Sequence, residues 1–525
     1  MTLFLISLIP YFLVVVYKTK KSLQMLQQNY YDDDNRYFKW IISNISKISF
    51  DISILFVLII LTLFFEIGIE IGAFIILYGV IYMIYTKDKK VDKKPLVVTA
   101  RVKRLIFTMM LVYIILILPV IINFNYDILV YEYVILGLVC YLNCFVIMTI
   151  NRLNKPIEYL VYLWYKRKAM KKLKCMNIPV LGITGSYGKT SCKNIVNSIL
   201  NVKINSFATP KSFNTPYGLI NSINNYLDKF NDVFIAEMGA FKIGEIKKNC
   251  KLVHPKYGII TTIGEAHLET FGSKENIMKG KFELIESLPS DGIAILNMDD
   301  PYQVKYKLKN KCKVIWIGID NKDADIYATD ISLSSKGTSF SCVFKGDSKK
   351  YEFTTKLLGK HNVYNILEGI ALGKVFNLSY DELIRGVSSI KPIEHRLELK
   401  KYGNINIIDD AYNSNPVGSK MALEVLSLMN GLKIVVTPGM VELGKKQYEL
   451  NYKFGEYISK SCDYVILIGK KQTLPIYDGL IKNNYDNKKI FVLNDVREAF
   501  PLINRLASND TYVLLENDLP DLFSE

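Results

Sequence analysis

A chain of 525 residues has room for several domains, and one that is half apolar with a positive mean hydropathy is too greasy for an ordinary soluble protein. Its net charge of +16 lies largely beside apolar runs, which argues against nucleic acid as the partner. Eight cysteines without a Cys-x-x-Cys pair give a zinc ribbon no support, and their placement in segments read as cytosolic favours thiols over disulfides.

Strongly apolar runs cover 2–17, 52–69, 71–85, 105–122 and 128–150, against a usual spanning length of about 18–20 residues. Between 52 and 85 the only charges are Glu66 and Glu70, so two tilted helices or one span with an interfacial piece both fit. Loop charge favours five spans. The basic loops, with Lys18, Lys20, Lys21, Arg36, Lys39 and Lys47 in one and Lys87 to Arg104 in the other, then lie inside, and the N-terminus lies outside. A signal peptide over 2–17 is the weaker reading, because no charge precedes the run and no small-residue cleavage site follows it.

Residues 151–178, "NRLNKPIEYLVYLWYKRKAMKKLKCMNI", are basic, aromatic and helically periodic. They read as a linker helix on the anionic inner leaflet, or equally as the first helix of a soluble domain with a solvated basic face. Then comes "VLGITGSYGKTS", a short apolar strand and a glycine-rich turn, followed by the periodic helix "CKNIVNSIL". That order suits phosphate: backbone N–H groups close around its oxygens, a helix N-terminus faces it, and Lys189 adds a mobile charge. Thr190 or Ser191 would reach a magnesium ion. The spacing is not that of a Walker A loop, since Ile183 stands where the first glycine belongs.

Downstream, polar residues gather at the ends of apolar strands, where open α/β sheets build their sites. "VFIAEMGA" ends at Glu237, "YGIITTIGEAHLETFG" runs into His267, and "GIAILNMDDP" ends at Asn297, Asp299 and Asp300. Each has a plainer explanation: an exposed strand-end carboxylate, a core histidine, a turn-forming Asx cluster. From about 399 onward, "NINIID", "KIVVTPG", "DYVILIG", "KIFVLN" and "TYVLLE" alternate with helical stretches, the rhythm of a Rossmann-like parallel sheet.

Together "GITGSYGKTS", "SFNTPYGL", "EMG", "ITTIGEAHLETFGS", "KGKFE", "LNMDD", "GKHNVYN", "EHRLE" and "IIDDAYNSNP" resemble the signature segments of Mur ligases, which join amino acids or peptides to cell-wall precursors with ATP. "DDAYNSNP" and "MVELG" are most similar to the D-alanyl-D-alanine-adding branch, and the resemblance covers about 179–450. The family's loop has the arrangement T-G-S-x-G-K-T, so Ile183 is no defect. The implied architecture is α/β: a P-loop central domain (179–398) and a Rossmann-like C-terminal domain (399–525), preceded by an all-helical transmembrane domain (1–150) and the basic linker (151–178).

The resemblance also implies roles. Thr184, Gly185, Ser186, Gly188, Lys189, Thr190 and Ser191 would cradle ATP, while Thr190 and Glu237 hold Mg2+ with His267 as a further ligand. Lys281 aligns with a lysine that the family carbamylates into a metal ligand; Lys279 competes for the register, but the Lys-x-Glu spacing to Glu283 favours Lys281 over the solvated lysine it otherwise resembles. Asn297 and Asp300 would face the adenine end, with His361, Asn362 and Asn365 lining the nucleotide, although His361 could simply cap its helix. Arg396 and Asp410 would complete the ATP site on closure, in a loop shared with Tyr412, Asn413 and Asn415. The implied catalytic set is Lys189, Lys281, His267 and Arg396. The acceptor carboxylate would attack the γ-phosphate, and an incoming amine would displace phosphate from the acyl phosphate.

Two departures fall on substrate recognition. The family's uridine-nucleotide-binding domain is replaced by apolar runs, and the last strand ends "LLENDLPDLF" where this branch usually has a Lys-Gly-Ser-like turn. The expected partners are therefore ATP, an amino acid or dipeptide, membrane lipid and a lipid-linked acceptor, with no nucleic acid. The expected location is the cell membrane, multi-pass, with the catalytic domains in the cytoplasm. A P-loop transport or gating ATPase is the alternative, disfavoured because only Asp51, Glu66, Glu70 and Glu132 stand near the spans to line a path. A non-catalytic scaffold is disfavoured by Lys189, Glu237, His267 and Lys281 occurring together. A poly-γ-glutamate-type or folate-type ligase stays open within the ligase class.

Overall fold

The computed structural model describes residues 2–45, 67–87, 95–122, 126–264, 268–412, 414–441, 443–508 and 510–518. They divide into two units, the first reaching Leu163 and the second beginning at Trp164.

The first unit is helical, built on Thr2–Gln28, Ile67–Lys87, Ala100–Ile122, Tyr126–Tyr141 and the start of Asn143–Met176. It is apolar on the outside as well as within. Rings fill the inside: Tyr11 lies 4.9 Å from Tyr78 and Phe74 lies 4.3 Å from Tyr133, while Tyr11 Oη donates to Leu136 O at 2.8 Å. Aliphatics point out, with Ile9, Val16, Ile115 and Ile122 each more than 60% exposed.

Thr2–Gln28 and Ala100–Ile122 are long and apolar enough to cross a membrane. The predicted run at 71–85 lies within the helix Ile67–Lys87, and most of the run at 52–69 falls outside the described residues. The run at 128–150 is not one straight helix: Tyr131–Tyr141 and Asn143–Met176 meet at an 80° bend, and counted as one broken span they bring the total to three. Nor does the basic linker begin at 151. It continues the helix Asn143–Met176, because no helix-ending residue separates the apolar run from the lysines and Pro156 is accommodated inside.

The second unit holds two sheets. Nine strands lie in the order β2-β3-β1-β4-β5-β6-β7-β8-β9, with β1 at Val180–Thr184, β2 at Ser206–Ala208, β3 at Val233–Glu237, β4 at Tyr257–Ile260, β5 at Ile293–Asn297, β6 at Lys313–Gly318, β7 at Ile326–Ser334, β8 at Gly337–Phe344 and β9 at Lys350–Thr355. Strands β2 to β7 pair in parallel, and β7–β9 extend the sheet as an antiparallel meander that the sequence reading did not anticipate. Helices Lys189–Leu200 and Lys360–Val375 share the core of this sheet through Ile195, Val196, Ile199, Val363, Ile366 and Ile370.

The second sheet runs β10-β11-β15-β12-β13-β14, with β10 at Glu398–Tyr402, β11 at Ile405–Asp410, β12 at Leu432–Thr437, β13 at Tyr464–Ile468, β14 at Ile490–Leu493 and β15 at Thr511–Glu516. The five strands read from the sequence are its parallel members, and β10 is an added antiparallel edge. Val435 packs into one core while Ile434 and Val436 pack into another, as expected of a parallel sheet covered on both faces. All eight cysteines are free thiols.

Candidate active site

β1 delivers the chain into the glycine turn, and Gly188, at φ 78°, opens the helix Lys189–Leu200. Gly185 lies so close to β4's exit that a Cβ there would sit 2.0 Å from Thr261 Oγ1. That exit braces the turn. Ser186 N donates to Thr262 O at 2.7 Å, Thr261 N donates to Thr184 O at 2.9 Å, and Thr261 Oγ1 donates to Tyr187 O. Ser186 Oγ is paired with Gly264, and Thr184 Oγ1 donates to Met238 O at 2.8 Å. The side chains of Thr184 and Ser186 thus hold the turn in shape.

At the helix start, Lys189 Nζ donates to the carbonyls of Gly185 and Ser186 at 2.7 and 3.1 Å. Burial pulls this ammonium down to about 8, opposed by Glu237 and reinforced by the charge of Arg396. Thr190 Oγ1 donates to Glu237 Oε1 at 3.2 Å, across from the end of β3. Two residues absent from the sequence reading grip the same carboxylate: Asn214 Nδ2 donates to Oε1 at 3.1 Å, and Lys193 Nζ stands 3.0 Å from Oε2.

Lys281 is 1% exposed, 3.5 Å from Ala240 O and 5.4 Å from the centre of the Phe271 ring. Burial, then the charge of Lys189, holds its amine well below the usual lysine range. Lys279 is exposed. Glu283 takes the N–H groups of Gly244 and Lys247 at 2.6 and 2.9 Å, fastening the helix Lys274–Glu286 to the start of the helix Glu245–Val253.

The Asx cluster has structural duties in this arrangement. Asp299 accepts from the N–H groups of Ile319, Asp320 and Asn321 and from Tyr364 Oη. Asp300 caps the helix Pro301–Lys305 and accepts from Ile263 N at 2.9 Å, so it steadies the brace beneath the turn. Asn297 Oδ1 accepts from Asp299 N. Asn365 reaches the turn, its Oδ1 3.1 Å from where a Cβ on Gly188 would stand, and it donates to Asn362. Burial, with the Arg396 charge, lowers His361 to about 4, so the ring is neutral at physiological pH.

Arg396 lies 4.3 Å over the Tyr412 ring, and Asn415 caps the helix Pro416–Ser427 through Gly418 N. His267 and Asn413 lie outside the described residues.

Asp410 and Glu516 end the neighbouring strands β11 and β15 in register. Glu516 Oε1 accepts from Ser414 Oγ at 2.6 Å. Burial, and for Glu516 the adjacent Asp410 charge, raises both carboxyls. The folded chain therefore keeps protons that the unfolded chain releases; this stabilisation is complete below the ordinary carboxylate range of about 4 and is lost as pH rises through the raised values. Urea midpoints are expected to fall as pH rises from the ordinary carboxylate range of about 4 through the Asp410 value of about 6 and beyond, and Glu516→Gln should flatten that fall. An unchanged slope in the variant would refute the pairing.

Magnesium fits this site jointly with phosphate. Among the described residues no group of three or more His, Cys, Asp or Glu could hold a metal, but Thr190 Oγ1 and Glu237 Oε1 are adjacent hard-oxygen donors beside the turn.

A braced glycine turn at a helix start, a hydroxyl–carboxylate pair beside it and a Rossmann-like sheet later in the chain mark a P-loop protein of two α/β domains. Residues 183–373 match the family model for the Mur ligase middle domain, and 395–516 match that for the Mur ligase glutamate ligase domain. The chain belongs to the Mur ligase family, and so to the ADP-forming ligases that make carbon–nitrogen bonds with ATP. The UDP-N-acetylmuramoyl-tripeptide–D-alanyl-D-alanine ligase of Bacillus subtilis is 31% identical over 342 residues, covering 64% of this chain and 72% of that one. The enzyme of the same name from Escherichia coli is 30% identical over 295 residues, 56% and 65% of the two chains. In structure the chain is similar to a MurF ligase from Thermotoga maritima in complex with ADP, with TM-score 0.61, 25% identity, and 69% and 81% of the two chains covered.

Proposed function

We propose that this ligase activates an acceptor carboxylate as an acyl phosphate and joins it to the amine of an amino acid or dipeptide in cell-wall or envelope biosynthesis. The names of its relatives make D-alanyl-D-alanine the first amine to test and the UDP-N-acetylmuramoyl tripeptide the first acceptor. The observation that carries the reading is the grouping of Lys189, Thr190 and Glu237 at the braced turn, with the buried Lys281 amine electrostatically coupled to Lys189.

In this reading Lys189 leaves its two carbonyls for the β- and γ-phosphates, where its charge offsets the charge that builds as the acceptor oxygen attacks. Thr190, Glu237 and a carbamylated Lys281 would hold magnesium, with His267 as a further ligand, and the ion would neutralise phosphoryl oxygens. Arg396 approaches the same phosphates from the second domain. The amine then attacks the acyl carbon, phosphate leaves, and the amine loses its proton. ADP release should require the acceptor, and full turnover should require both acceptor and amine. ADP released equally fast with neither would overturn the reading.

The first unit is proposed to anchor the enzyme in the cell membrane, with its catalytic domains in the cytoplasm and a lipid-linked acceptor. Two helices of spanning length and outward aliphatic faces support the anchor. So does the run from the exposed Trp164 into Arg167, Lys168, Lys171 and Lys174, an aromatic-then-basic order suited to a bilayer surface. The full chain is expected to stay with membranes through alkaline carbonate washing and to turn over a lipid-linked acceptor faster than its soluble UDP-linked counterpart. Equal rates with the two acceptors would remove the lipid-linked part of the proposal.

A further inference from the structure

Glu237 accepts hydrogen bonds on Oε1 alone, and its buried Oε2 faces an ammonium. Lys193, one turn beyond Thr190 on the same helix, sets its ammonium 3.0 Å from Oε2, and both side chains are 1% exposed. The same ammonium donates to Lys211 O, which holds it from a second direction. Oε1 accepts from Asn214 Nδ2 and Thr190 Oγ1. A divalent ion approaching Glu237 therefore meets an ammonium fixed at contact distance, in a place too buried for water to screen the repulsion. Phosphate oxygens would reverse the balance by bringing several negative charges to the Thr190 side of the carboxylate.

We propose that Lys193 is a resident counter-cation for Glu237 that keeps divalent ions off the carboxylate until nucleotide phosphates arrive, so that magnesium enters this site only together with the nucleotide. The proposal rests on the reading of Thr190 and Glu237 as metal-holding residues. Lys193 acts through Glu237 and is a positioning residue. An ion pair that merely supports the fold would make stability depend on Lys193 and leave metal affinity unchanged.

Mn2+ is the probe, titrated by electron paramagnetic resonance into the full-length protein in detergent. Without nucleotide, the wild type is expected to show no tight site, whereas Lys193→Met gains one at least about tenfold tighter. The gained site should vanish in Lys193→Met combined with Glu237→Gln, and Lys193→Arg, which keeps the charge, should behave as wild type. A folded Lys193→Met protein with unchanged Mn2+ affinity overturns the proposal. If that variant does not fold, the wild type decides: a nucleotide-independent Mn2+ site, lost in Glu237→Gln and as tight as the site formed with a non-hydrolysable ATP analogue, overturns it as well. If Glu237→Gln leaves the Mn2+ held with the analogue untouched, the metal assignment itself fails and takes the proposal with it.

Discussion

Lys189→Ala is expected to lower ADP release by about 10²–10³-fold, the usual cost of removing one donor aimed at developing charge. The fold should survive. In the wild type, among the described residues, this ammonium bonds only the carbonyls of Gly185 and Ser186, and the brace from Thr261, Thr262 and Gly264 does not involve it. The variant should therefore melt near the wild-type temperature while losing most of the upward shift that ATP gives. The wild type carries a matching pH signature. Because burial brings Lys189 down to about 8, kcat/KM should decline above that pH as the free enzyme loses the protonated form. Activity within tenfold of wild type in Lys189→Ala would sink the phosphate-loop assignment.

The second large effect is expected at Lys281. Its burial and the Lys189 charge shift the amine toward the neutral form, the form that adds carbon dioxide to give a carbamate. Growth on 13C-bicarbonate should yield a carbamate carbonyl signal in the protein that is missing from Lys281→Ala. That variant should lose at least about 100-fold in rate, the upper end of what a metal-supporting group contributes, and small carboxylates should restore part of it. Lys279→Ala, altered at an exposed position, should differ little from wild type. Absence of the signal, with rates indifferent to carbon dioxide depletion, would return Lys281 to the role of a buried structural lysine.

The strand, glycine turn and helix start were legible because they occupy a dozen consecutive residues, whereas the brace from Thr261, Thr262 and Gly264 comes from far along the chain and was not. The sequence could not show that Lys281 is buried while Lys279 is exposed, because that depends on what the helix packs against. Residues 281 and 283 serve different neighbours, one buried beside Ala240 and Phe271, the other tied to Gly244 and Lys247.

Lys193 was not legible. On an amphipathic helix it reads as one more solvated lysine, and only the pairing of β1 with β3 brings Glu237 to it. Asn214 sat unassigned inside "SFNTPYGL" for the same reason. Asp299 and Asp300 follow the turn chemistry that the sequence already offered for them, capping and gathering backbone N–H groups. In the first unit, counting charges in loops could not register the bend after Tyr141, because a bend changes direction without changing composition.

The support under the phosphate turn has a kinetic corollary. Thr261, Thr262 and Gly264 hold Gly185 to Tyr187 in shape through bonds that a ligand neither makes nor breaks. A nucleotide docking there does not have to freeze a floppy segment, which would cost on the order of 1–2 kcal/mol per residue ordered. Rapid-mixing traces with a fluorescent ATP analogue should accordingly rise in one exponential whose rate grows linearly with analogue concentration, and loosening the prop with Thr261→Gly should bend that line into a plateau.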